Sequence, residues 1–292
     1  MLICYLYHYV LIWGVYMTYL MSIILGFVQG VAEFLPISSS GHLSIFQNWF
    51  GLEEPDNLFN VLLHFATLIA VCVVYWRDIV DMITEFFRGV AALTNRKDDR
   101  GPVPPARRLV MMIILATLPL VLVLPIEDKV EALGGSNLFV GIALLFTGVI
   151  LFVSDRMAKG KKTARTATVK DALLVGCAQA VAVIPGLSRS GCTIAAGMAV
   201  GFDRTFAVRF SFLLSLPAVL GATLLKVIDV AKEGIDPALL PMYLVGMVAA
   251  GVVGYFSIRL VNMLAQKNKF GKFAYYCWAM GLAAIVVNFI VK

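Results

Sequence analysis

Residues 26–42 read Gly26-Phe-Val-Gln29-Gly-Val-Ala32-Glu33-Phe-Leu-Pro36-Ile-Ser38-Ser39-Ser40-Gly41-His42. An offset of 150 brings up Gly176-Cys-Ala-Gln179-Ala-Val-Ala182-Val183-Ile-Pro185-Gly186-Leu-Ser188-Arg189-Ser190-Gly191-Cys192. Gly26, Gln29, Ala32, Ser38, Ser40 and Gly41 fall on Gly176, Gln179, Ala182, Ser188, Ser190 and Gly191. Glu33, Ser39 and His42 fall instead on Val183, Arg189 and Cys192. One element occurs twice, and the positions that differ carry the reactive groups. Both copies interrupt apolar sequence with proline, glycine and hydroxyl residues. Broken backbone at membrane depth is tolerated only where protein wraps it or where it lines a wet cavity. Each stretch, about 19–50 and about 172–202, is therefore expected to be a re-entrant hairpin of two short helices meeting at a polar loop.

The rest of the chain supports a membrane setting. Of its 292 residues 60% are hydrophobic and only 14% charged, with a mean hydropathy of +0.88. Soluble domains run nearer 45–50% apolar and about 25% charged. This composition excludes a soluble enzyme and a disordered chain, and the continuous apolar runs argue against a β-barrel. A bilayer core about 30 Å thick needs roughly 20 apolar helical residues. Six segments meet that need, at about 60–76, 109–126, 138–154, 205–228, 238–259 and 273–291. Pro119 and Pro217 read as kinks within two of them. The expected fold is an all-α polytopic membrane protein with six transmembrane helices and two re-entrant helical hairpins. Residues 19–292 form one membrane domain, with repeat one over about 19–154 and repeat two over about 169–292.

A hairpin returns to its own side and three spans are odd in number, so the second repeat lies upside down relative to the first. Proteins with such inverted repeats place their site at the midplane between the repeats. The charges support this arrangement. Loops on one side, about 77–108, 155–171, 202–209 and 260–272, are strongly basic. Those on the other side carry Glu53, Glu54, Asp56, Glu127, Asp128, Glu131, Asp229, Glu233 and Asp236 against two lysines, Lys129 and Lys232. Basic loops mark the cytoplasmic side. The net charge of +6 thus reflects orientation and contact with anionic lipid rather than a nucleic-acid partner. Residues 1–18 form an N-terminal extension whose first 16 residues, rich in Tyr and Trp, fit the pattern badly. They read either as an extra or interfacial helix or as sequence preceding a start at Met17, and not as a cleaved signal peptide. Cys4, Cys72, Cys177, Cys192 and Cys277 are scattered and form neither a zinc spacing nor a disulfide framework.

The first hairpin places Gln29 and Glu33 four residues apart, on one helix face. A carboxylate at membrane depth is costly and marks a functional site by default. The run Ser38-Ser39-Ser40-Gly41 offers hydroxyls and backbone N–H groups at a helix start, a setting that attracts phosphate. His42, on the first turn, is suited to proton transfer or nucleophilic attack. In the second hairpin Arg189 is the one intramembrane arginine, flanked by Ser188, Ser190, Gly191 and Thr193. Its planar, permanently charged fork matches phosphate oxygens. Glu33 and Arg189 could equally form a structural ion pair that a substrate displaces. His64 reads as a satisfied core histidine, and Lys226 as a residue snorkelling to the surface. Together these residues describe an anion site suited to a lipid phosphate. Serine or histidine would attack phosphorus, Arg189 would hold the equatorial oxygens, and Glu33 would orient a base or bind a metal. A lipid-phosphate transporter or flippase is the alternative, since binding needs only Arg189 and the N–H groups.

At these motifs the chain resembles the bacterial undecaprenyl-diphosphatase family, the bacitracin-resistance proteins. That family carries (E/Q)xxxE followed by P-x-S-S-[ST]-G-H, and a later P-G-x-S-R-S-G, here Gln29 to Glu33, Pro36 to His42 and Pro185 to Gly191. Position 29 is Gln where many members have Glu. The resemblance covers about 19–292 and implies an integral membrane hydrolase. Such an enzyme converts undecaprenyl diphosphate to the monophosphate carrier lipid of cell-wall synthesis plus inorganic phosphate. It implies Glu33, Ser39, His42 and Arg189 as the catalytic core, and Gln29, Ser38, Ser40, Gly41, Ser188, Ser190, Gly191 and Thr193 around the substrate. It also implies a divalent cation, magnesium or calcium, with Glu33 as a ligand. The implied place is the bacterial plasma membrane, with a cavity open to the outer face. The residues leave the oligomeric state open, a homodimer among the options.

Overall fold

The computed structural model describes residues 17–50, 52, 57–94, 102–126, 129–130, 132–157, 160–233, 237–267 and 270–290. Residues 1–16 lie outside that set, as do the loop charges Glu53, Glu54, Asp56, Glu127, Asp128, Glu131 and Asp236. So do the side chains of Lys226, Asp229 and Glu233. Eleven α-helices are found among the described residues. They are α1 (Tyr19–Ala32), α2 (Ser39–Trp49), α3 (Asn57–Val74), α4 (Trp76–Thr94), α5 (Pro105–Val121) and α6 (Asn137–Asp155). After these come α7 (Val169–Val181), α8 (Arg189–Ala199), α9 (Arg204–Glu233), α10 (Leu240–Gln266) and α11 (Lys272–Ile290).

Five segments are long and apolar enough to cross a bilayer: Pro105–Ile126, Asn137–Asp155, Arg204–Leu225, Leu240–Gln266 and Lys272–Ile290. A sixth is obtained when Leu58–Val74 is counted with Trp76–Ala92, to which it is bent by 86°. Pro119 and Pro217 both lie inside helices, α5 and α9. The bend corrects the reading of 77–108 as a loop, because most of that stretch is helix α4. Its charges, Arg77, Asp78, Asp81, Glu85 and Arg88, disqualify it as an apolar run. Trp76, Val80, Ile83, Phe87 and Val90 nevertheless recur at helical spacing and are exposed. Such an amphipathic helix suits a membrane surface rather than a membrane interior.

The four hairpin helices are 14, 11, 13 and 11 residues long. At 1.5 Å per residue none spans the bilayer core. Their starts are capped. Ser38 Oγ accepts the Gly41 N–H at 3.3 Å, and Ser188 Oγ accepts that of Gly191 at 3.1 Å. Thr168 and Asp171 form a reciprocal capping box at the head of α7.

Small residues decide which helices cross. A Cβ on Gly26 would lie 2.2 Å from the Gly246 carbonyl oxygen, and one on Gly176 would lie 2.4 Å from that of Ala116. So α1 lies against α10 and α7 against α5, through glycines related by the 150-residue offset. Helices α6 and α11 meet at Gly141 and Gly281. Close backbone approach through small residues is the usual packing device where lipid removes the hydrophobic drive between helices. The two loops also touch. A Cβ at Gly41 would sit 3.1 Å from the Gly186 Cα, and one at Gly191 would sit 3.3 Å from the Pro36 Cβ. These two contacts exchange places under the 150-residue offset.

Basic residues that sequence reading assigned to orientation also tie the loops together. Arg204 bonds the Asp155 carboxylate at 2.8 Å and the Asp155 carbonyl at 2.9 Å. Arg209 pairs with Asp78 at 2.6 Å and Lys162 with Asp171 at 2.9 Å. Arg108 donates to the Ala167 carbonyl at 2.6 Å.

Candidate active site

Helix α1 ends at Glu33, and the loop to Ser38 turns the chain so that α2 begins beside it. Ser38 takes φ of +71°, a left-handed value rare for a residue with a Cβ. That turn puts Ser39 next to Glu33, and the Ser39 hydroxyl donates to Glu33 Oε2 at 2.7 Å. Gln29 Nε2 donates to the same oxygen at 3.1 Å. Glu33 Oε1 accepts from the Arg189 guanidinium of the other hairpin. The Glu33 side chain is 5% exposed and that of Arg189 is 25% exposed. The acid is thus sealed in while the arginine keeps a face open. Ser39 and Ser40 are also half-buried. Capping satisfies Gly41 and His42, and the N–H groups of Ser39 and Ser40 in the first turn of α2 have no intrahelical acceptor.

Arg189 stands at the head of α8. Gly186 has φ of +94°, and a Cβ there would lie 2.7 Å from both the Ala143 Cβ and the Val140 carbonyl oxygen. Only glycine permits this loop to lie so close to α6. Thr147 of α6 clamps it, since its hydroxyl donates to the Gly186 carbonyl and accepts the Ser188 N–H, both at 3.1 Å. The hydroxyls of Ser188 and Ser190 are 3.3 Å apart, and those of Ser38 and Ser40 are 3.5 Å apart. Thr193 differs from its expected role beside the substrate. It is 1% exposed, donates to the Arg189 carbonyl at 2.9 Å and meets the Ser211 hydroxyl at 2.5 Å. It braces α8 against α9.

His42 is buried, with both ring nitrogens engaged. Nδ1 lies 2.8 Å from the Ser38 carbonyl. A carbonyl only accepts, so Nδ1 carries the proton. Nε2 is then the acceptor and receives the Tyr276 hydroxyl at 2.8 Å. The two rings lie nearly parallel, 9° apart, with centroids 5.6 Å apart. No hydrogen bond links His42 to Ser39 or Glu33 among the described residues.

Sequence reading missed two residues here. His64, taken for a core histidine, accepts from Gln29 Nε2 through Nδ1 at 2.5 Å and lies 3.9 Å from Glu33. Its side chain is 33% exposed. The available signal was an imidazole at membrane depth, the feature that marked Glu33. Tyr276 had no such signal. It stands 234 residues from His42, and a Tyr-Tyr pair near a span end reads as an interfacial anchor. Tyr276→Phe removes one neutral hydrogen bond, worth about 0.5–1.5 kcal/mol. We expect phosphate turnover about 3–10-fold lower with KM unchanged, measured on the purified protein. An unchanged turnover number would show that the orientation of His42 is immaterial.

The two hairpins therefore bring a carboxylate, a hydroxyl and a guanidinium into one hydrogen-bonded row, to which Gln29 joins His64 of α3. Comparison with known proteins places this arrangement. The family profile described as "Bacitracin resistance protein BacA" matches residues 22–283. The chain belongs to the BacA family. The match includes both hairpins and Tyr276. Similar curated proteins include the undecaprenyl-diphosphatase of Methanosphaera stadtmanae, 39% identical over 274 residues, 92% of this chain and 98% of that one. The undecaprenyl-diphosphatase of Methanobrevibacter smithii is 41% identical over 269 residues, covering 91% and 96%. That of Alkaliphilus metalliredigens is 39% identical over 274 residues, covering 93% and 99%.

Proposed function

We propose that this BacA-family chain is a membrane phosphatase that hydrolyses undecaprenyl diphosphate to undecaprenyl phosphate and inorganic phosphate. The reaction follows from the family. Its assignment to residues rests on one observation: Ser39 and Arg189, from different repeats, hold the two oxygens of Glu33. Arg189 spends part of its guanidinium on Glu33 and turns the rest toward the terminal phosphate. Ser39 Oγ attacks the terminal phosphorus and gives its proton to Glu33 Oε2. The bond from that phosphorus to the bridging oxygen breaks, and undecaprenyl phosphate leaves. The first-turn N–H groups of α2 and the arginine meet the charge on the equatorial oxygens. Water then attacks the phosphoserine, Glu33 returns its proton to the departing Ser39 Oγ, and phosphate is released. His42 takes that water's proton at Nε2 once the Tyr276 hydroxyl turns from the ring to the water. Ser39 is preferred to His42 as nucleophile because its hydroxyl already donates to a carboxylate base, Glu33 Oε2.

The donor set bears on the expected cation. Both Glu33 oxygens are engaged, and no cluster of three His, Cys, Asp or Glu side chains exists among the described residues. These residues do not form a resident divalent site. Magnesium or calcium would instead arrive bound to the diphosphate, whose oxygens and waters supply most ligands, with Glu33 the one carboxylate nearby.

The arrangement we infer is six spans and two re-entrant hairpins in inverted repeats within a plasma membrane. The basic end is cytoplasmic and the site opens outward. The exchange of loop contacts under the 150-residue offset supports the repeat, and the sorted loop charges support the orientation. Detergent-solubilised protein should release one phosphate per undecaprenyl phosphate formed, and without substrate should show no magnesium uptake by calorimetry. Lipid movement in vesicles without phosphate release would replace the phosphatase by the transporter reading.

A further inference from the structure

Among the described residues, one apolar groove along the side of the helix bundle takes a lining residue from a hairpin and a larger one does not. The larger, about 640 Å³, runs between α3 and α10 past Ile69, Val73, Val248 and Phe256. Its lining comes from those two helices alone. The smaller, about 190 Å³, lies between α5 and α9 and is lined by Thr117, Leu120, Leu124, Pro217, Ala218 and the hairpin residue Val183. Its one polar side chain is already satisfied, because the Thr117 hydroxyl donates to the Ile113 carbonyl at 2.8 Å. Val183 begins the short loop that ends at Arg189. The groove therefore shares one residue with the loop that leads to the phosphate-binding arginine.

The repeat offset explains why this end is apolar. In the first hairpin Gln29 bonds both Glu33 and His64. At the same offset the second repeat has Gln179, Val183 and Leu214. The acid and the imidazole are gone, and Gln179 is left 1% exposed with neither amide atom partnered. At these three positions the polar set of the first repeat gives way to one amide and two aliphatic side chains, of which Val183 lines the groove.

We infer that the groove between α5 and α9 holds the first isoprene units of the substrate's polyprenyl chain while its diphosphate lies at Arg189. This rests on the phosphatase reading above. The groove is apolar and takes one wall residue, Val183, from the loop that leads to Arg189, which gives a chain leaving that arginine a path along it. The α3–α10 groove takes no residue from either hairpin and is assigned to ordinary bilayer lipid.

The test pairs photocrosslinking with kinetics on the full-length protein in detergent. A prenyl diphosphate carrying a benzophenone near its head group is crosslinked to the wild type and the adducts are mapped by mass spectrometry. Adducts on Leu120, Leu124 or Ala218 are expected, and adducts confined to Val248 and Phe256 would overturn the assignment. Ala218→Phe, which fills the groove, should raise KM for undecaprenyl diphosphate about tenfold, the scale of losing a few buried methylenes. Turnover should change less than twofold, and Val248→Phe in the other groove should leave both constants unchanged. Equal effects of the two variants would also overturn it. Crosslinking needs no turnover, so wild type that crosslinks at Ala218 yet releases no phosphate refutes the phosphatase reading and leaves the groove standing. If Ala218→Phe fails to fold, the wild-type adduct map decides alone.

Discussion

Arg189→Ala is expected to abolish phosphate release, with kcat/KM down about 10³-fold or more. Removing one preorganised donor from a developing oxyanion costs about 10²–10³ in rate, and Arg189 supplies several donors and the site's positive charge. The substitution also strips Glu33 of its partner inside a 5% exposed pocket. Breaking a buried pair on one side costs about 3–5 kcal/mol, so the variant should also melt at a lower temperature. Lost activity must therefore be separated from lost structure. The double variant Arg189→Ala/Glu33→Gln removes the orphaned charge and should recover most of the melting temperature with none of the activity. Arg189→Lys keeps a charge but not the fork, and should lie between, about 10–100-fold down. Full activity in Arg189→Ala would remove the arginine from the mechanism.

Ser39→Ala should be as damaging, because losing a nucleophile costs on the order of 10⁴ in turnover or more. The fold should survive, since Ser39 lies half-buried and gives up one hydrogen bond. The informative measurement is the trapped intermediate. Undecaprenyl diphosphate labelled in its terminal phosphate, quenched in acid, should leave acid-stable label on wild-type protein and none on Ser39→Ala. His42→Ala should lower turnover and allow the label to accumulate, because His42 is assigned to the hydrolytic half-reaction. Acid-labile, base-stable label would identify phosphohistidine and exchange the roles of the two residues.

Glu33 and Arg189 illustrate how far the sequence reached. Each stood out alone, because a charge amid apolar residues has few explanations in a membrane. Their direct bond spans 156 positions and has no local signature beyond the repeat that suggested a shared midplane. Helix α4 was lost for the opposite reason. Its charges broke the apolar criterion for a span, while its 3.6-residue periodicity passed as a basic loop. Thr193 looked like part of an anion cradle by sequence adjacency, yet helical geometry points it at Ser211. His64 shows the cost of an uneven rule, since it met the criterion applied to Glu33 and was discounted.

Local physics was enough to establish a polytopic helical membrane protein, two broken apolar elements related by 150 residues, and the residues whose charge has no business in lipid. Polarity, periodicity and turn chemistry act over a few residues and can be read in order. Tertiary structure alone decided that Ser39 bonds Glu33 while His42 turns to Tyr276, that His64 joins the site, and that one lateral groove reaches a hairpin. Those outcomes depend on which helices cross and at what height. The crossings are set by close backbone contacts such as Gly26 on Gly246 and Gly176 on Ala116, where the absence of a side chain at each position matters only once its partner is known.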